Sequence, residues 1–157
     1  MIDESQARLE LYKLAVDMAD RISARRGTAN AFFLTLQTAL AGFVGVVRPA
    51  TAAKTGSLRV DSFGIVLVAV VGLVLSATWW LLLRSYRDLN GAKFQVILDL
   101  EKGLPAQPFG DEWDHLKGDP VKKKFPARYA ELNVIERVVP LAFAAVYVAI
   151  ALRAIFV

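Results

Sequence analysis

Three apolar stretches, residues 29–47, 63–83 and 138–157, constrain this chain more than any other feature. The first two hold no Asp, Glu, Lys or Arg, and the third holds only Arg153. A helix crossing the hydrocarbon core of a bilayer needs about 20 such residues. Only helices and closed barrels satisfy their backbone groups in that core. The expected fold is therefore all-α and integral to the membrane, with three transmembrane helices. Composition agrees: 55% of the residues are hydrophobic, more than an ordinary soluble domain carries.

The segments between these stretches divide the chain further. Residues 1–28 precede the first span, and within them Asp3 to Arg26 read as an amphipathic helix. Leu11, Leu14, Ala15, Met18, Ala19 and Ile22 fall on one face, with Glu10, Lys13, Asp17, Asp20 and Arg21 opposite. Residues 48–62 are too short for a domain and read as a hairpin loop. Past residue 83 nothing breaks the helix of the second span. Leu89, Val96, Ile97 and Leu100 keep one face until Gly103 and Pro105 supply a stop. A helix from Ser62 to Lys102 would be roughly 60 Å long at the usual rise, so residues 84–137 begin as a helical stalk beyond the membrane. The remainder of that segment contains Pro105, Pro108, Pro120 and Pro126 and one expected short helix, Asp111 to Lys117, capped by Asp111.

Orientation follows from the basic residues. Fifteen of the 19 Lys and Arg lie in residues 1–28 and 84–137, and only Arg48, Lys54, Arg59 and Arg153 lie elsewhere. The positive-inside rule then places the N-terminal helix and the stalk in the cytoplasm, and the hairpin loop and C-terminus outside. The expected location is the inner (plasma) membrane.

Catalysis is not expected. The chain has one histidine, His115, and no cysteine, so neither a Cys/His pair nor a multi-His metal site can be built. The DEWDH run at 111–115 matches no ligand spacing, and no glycine-rich phosphate loop is present. No cofactor is implied.

Polar residues inside spans say more, because lipid makes them costly. Asn30, Gln37 and Ala41 lie along one stripe of the first span, with Thr38 and Gly45 beside it. The stripe either lines an aqueous path through a homo-oligomer or places amides to hydrogen-bond neighbouring helices. Among the cytoplasmic basic residues, Arg84 and Arg87 sit at the membrane boundary. Lys122, Lys123, Lys124 and Arg128 precede the third span. Both sets suit lipid headgroups, or an anionic ligand such as a nucleotide or oligonucleotide.

The stretches LYKLAVDMADRISARRGTANAFFLTLQTAL and WWLLLRSYRDLNGAKFQVILDLEKGLP, in an N-terminal helix and a two-helix hairpin with a long second helix, resemble the SLATT-type membrane proteins of bacteria. That resemblance covers about the first hundred residues and is one of architecture. It implies a pore-forming effector of anti-phage conflict systems, of a kind often encoded beside nucleotide-signal synthases. The third span departs from the two-helix pattern. The residues themselves leave two readings open: a channel-like oligomeric effector controlled by a ligand or a cytoplasmic regulator protein, or a non-conducting membrane subunit or scaffold whose stalk and N-terminal helix recruit a cytoplasmic partner.

Overall fold

The computed structural model describes residues 3–47, 62–117 and 132–156. Among them are four α-helices: α1 (Glu4–Val47), α2 (Ser62–Glu101), α3 (Pro108–Lys117) and α4 (Leu132–Phe156). The amphipathic segment and the first apolar stretch are thus a single helix. The only strong helix-weakening residue between them is Gly27, and one glycine costs a helix only about 1 kcal/mol. The expected long second helix is present nearly to the residue. The hairpin loop lies outside the described residues.

The chain separates into two units. The first comprises Met1–Arg26 and Ser85–Val134, and the second Gly27–Arg84 and Ile135–Val157. In the second unit each helix turns an inward face that repeats every three and four residues. On α1 this face is Asn30, Phe33, Gln37 and Val44, and on α2 it is Ala69, Gly72, Ser76, Trp79 and Leu83. On α4 it is Pro140, Phe143 and Tyr147. Such spacing is the sequence pattern of one helix packing along another. Phe33, Trp79 and Leu83 are buried there, with Leu75, Leu82 and Phe143 against them. Phe33 stacks on Trp79 at a centroid distance of 5.8 Å, a contact worth about 0.5–1.5 kcal/mol beyond its area.

In the first unit α1 packs on the distal part of α2. Ala15, Ala19 and Ile97 are buried, and Tyr12, Val16, Phe94, Leu100 and Phe109 surround them. The small side chains of α1 let the larger ones of α2 and α3 fill the seam. Phe109 of α3 meets Phe94 edge-on at 5.8 Å. Of the apolar face expected for α1, Ala15 and Ala19 are covered, while Leu11, Leu14 and Met18 are exposed.

Two helices among the described residues are long and apolar enough to cross a membrane: α2, and Glu136–Phe156 of α4. The 29–47 stretch is helical but is not among these two; it carries Asn30, Thr35, Gln37 and Thr38 and runs to the edge of the described residues.

Candidate functional site

Polar groups concentrate at one level of the second unit. Gln37 of α1 is fully buried. Its Nε2 donates to Ser76 Oγ at 2.7 Å and to Gly72 O at 3.3 Å. The Ser76 hydroxyl donates onward to Gly72 O at 2.9 Å, the back-bond to residue i−4 that satisfies a serine inside a helix. From α4, Tyr147 Oη donates to the Gln37 carbonyl at 3.2 Å. Gly72 is what allows this. A Cβ at that position would stand 2.5 Å from the Tyr147 ring, so a glycine is needed for α4 to approach α2. Gln37 Oε1 has no partner among the described residues. Further along the same seam, Trp79 Nε1 donates to Asn30 Oδ1 at 2.8 Å.

Both amides of the expected stripe therefore serve contacts between helices of one chain. An aqueous path lined by Gln37 would have to run through the middle of the three-helix unit. Ala41 is half-buried on the same side. One exposed stripe of α1 in this unit is of another kind: Ala31, Thr35, Thr38, Gly42 and Gly45, flanked by the exposed Phe32, Leu34 and Phe43. Nothing lies within 4 Å of where a Cβ would stand on Gly42 or Gly45, and Thr35 Oγ1 donates back to Ala31 O at 2.9 Å. The exposed positions of α2 and α4 are mostly bulky and apolar, among them Phe63, Leu67, Val74, Leu141, Leu152 and Ile155, although Ala77, Thr78, Ala142, Ala145 and Ala149 are exposed too. Large apolar side chains suit lipid, whereas small residues allow another backbone to come close. The small face was readable in the sequence as a three-and-four spacing of Ala, Thr and Gly.

Among its described residues the first unit has one buried charged side chain. Glu101, at the C-terminus of α2, is 1% exposed. Its Oε1 accepts from Tyr12 Oη at 2.9 Å and from Phe109 N–H at 3.0 Å, and its Oε2 accepts from Gly110 N–H at 3.1 Å. The carboxylate thus caps the N-terminus of α3, where free N–H groups and the helix dipole favour an anion. Burial, then the hydrogen bond and negative charge of Glu101, push the Tyr12 phenol up to about 12. The expected cap was Asp111, but α3 begins at Pro108 and Asp111 falls in its first turn. Proline suits a first helical position, where its missing N–H is no loss.

Arg84 and Arg87 are both exposed. Lys122, Lys123, Lys124 and Arg128 lie outside the described residues.

A family described as octameric membrane proteins matches residues 9–156. The chain belongs to that octameric membrane protein family. The match includes almost all of the third apolar stretch, which the two-helix SLATT-type architecture lacks. A membrane protein of an oligomeric family is what the match shows, and the SLATT-type likeness remains a resemblance. No curated protein and no solved structure matches this member of the octameric family.

Proposed function

We propose that the chain is one subunit of a homo-octameric, channel-like assembly of the bacterial inner membrane, non-catalytic and controlled from the cytoplasm. The observation that carries this reading is the exposed face of α1, Ala31, Thr35, Thr38, Gly42 and Gly45. Lipid gains little from such a face. A second copy's helix or a column of water gains more, because small side chains leave room and threonine hydroxyls tolerate water. The family description, octameric, supplies the neighbours. In this reading 29–47 is the first of three spans, the N-terminus is cytoplasmic and the C-terminus external. The pore-side residues are then the small and threonine face, with Asn30 and Gln37 holding the subunit together behind it. Arg84, Arg87 and the 122–128 basic run are the groups suited to an anionic nucleotide, oligonucleotide or lipid regulator. A role in antiviral defence rests on the SLATT-type resemblance alone.

Ion flux from liposomes containing the purified full-length chain tests the reading. Dissipation of an imposed K⁺ gradient is expected. The second reading is a non-conducting scaffold that recruits a cytoplasmic protein. It is favoured by the burial of Gln37 and the bonding of both amides, which leaves threonine hydroxyls as the polar groups on the small face. Oligomeric protein that carries no flux under any condition would select it.

A further inference from the structure

The apolar arc of α1 in the first unit is wider than its contact with α2. Ala15 and Ala19 meet Ile97, but Leu11, Leu14 and Met18, three and four residues apart, are 56%, 54% and 37% exposed. On α2, Leu89 and Val96, seven residues apart, are 46% and 51% exposed. Lys93 lies one turn from each of them and places Nζ 4.0 Å from Met18 Sδ. The two stripes therefore border the same side of the α1–α2 seam. This unit also displays Glu10, Lys13, Asp17, Asp20, Arg21, Asp88 and Asp99 at its surface, so it stands in water, where grouped large apolar side chains mark an interaction surface. Three-and-four spacing is the seam pattern of helix-on-helix packing.

We propose that this face is the docking site for the same unit of a neighbouring copy, burying Leu11, Leu14, Met18, Leu89 and Val96 between subunits. The proposal rests on the oligomeric reading above and names the surface that reading needs outside the membrane. Family membership supplies the copies, and charge selects a copy over the bilayer surface. The first 26 residues hold five acids and five bases, without the basic excess that draws a helix onto anionic lipid. The polar edge of α1 carries both signs in the pairs Glu10–Lys13 and Asp17–Arg21. Such an edge complements a copy of itself, and its acids give the half-buried Lys93 a counter-charge.

The test uses the full-length chain, whose lack of cysteine makes single-cysteine variants clean. The Leu14→Glu/Met18→Glu variant in mild detergent is expected to lose the eight-chain species by more than about tenfold in native mass spectra, with helical circular dichroism unchanged. Leu14→Cys is expected to form inter-chain disulfides under mild oxidation, which keeps the proposal testable if the double variant misfolds. An eight-chain species that survives both glutamates, together with an absence of cross-links, would overturn the interface and leave the oligomeric reading intact. A single-chain parent would overturn both. A bimane label on Leu14→Cys quenched by brominated lipid would place the face on the bilayer and overturn the interface.

Discussion

Gly72 has little freedom to change. A Cβ there would meet the Tyr147 ring at 2.5 Å, and Tyr147 is itself fully buried. Gly72→Ala is expected to cost about 1–3 kcal/mol as overpacking. The loss would appear as a lower thermal unfolding midpoint in detergent. Gly91→Ala, in open space within α2, is expected to gain about 0.5–1 kcal/mol. Equal midpoints for the two would place the Tyr147 ring elsewhere. At the other buried polar cluster, Tyr12→Phe removes one of the three donors to Glu101 and is expected to cost about 0.5–1.5 kcal/mol near neutral pH. A phenol whose folded pKa is raised binds its proton more tightly when folded. Its contribution is therefore complete below the ordinary value of 10.0 and lost as pH rises through about 12. The gap in stability between parent and Tyr12→Phe should close across that window, and a gap constant from neutral pH to pH 12 would contradict the contact.

At the scale of elements, much was legible because helices announce themselves locally. The second helix follows from unbroken apolar spacing through Ile97 and Leu100, and it ends at Glu101 just before Gly103. What the sequence could not display was partnership. The α3 start depends on Glu101, which lies seven residues before Pro108 and caps across a turn. The choice of face on α1 depends on how much of a wide apolar arc one helix can cover, so Tyr12 and Val16 join the core while Leu11 and Leu14 stay out. The amides Asn30 and Gln37 find their partners Trp79 and Ser76 49 and 39 residues away, beyond any local pattern. This rearrangement changes which substitutions should affect transport. Gln37→Leu removes the bond to Ser76 but also an acceptor without a partner, and Ser76 keeps Gly72 O. Its cost should stay within about 1 kcal/mol, with flux close to that of the parent. Thr35→Leu/Thr38→Leu fills the small face and is expected to cut flux several-fold in liposomes. The reverse pattern would move the conducting path to the interior of the three-helix unit.

For the whole molecule, the division of basic residues and the exposed faces have to describe one assembly. Cysteines placed at Lys54 and Lys123, in a chain that has none of its own, should label from opposite sides of sealed vesicles. Labelling of both from the same side would contradict the three-span topology. The central claim is that one chain is incomplete. Its α1 exposes a small, threonine-bearing face beside bulky apolar surfaces on α2 and α4, and its first unit leaves Leu11, Leu14 and Met18 uncovered. Native mass spectrometry of the full-length chain released from lipid nanodiscs tests this most directly. A dominant species of eight chains is predicted, matching the family's description. A dominant single chain across several lipid compositions would contradict the account.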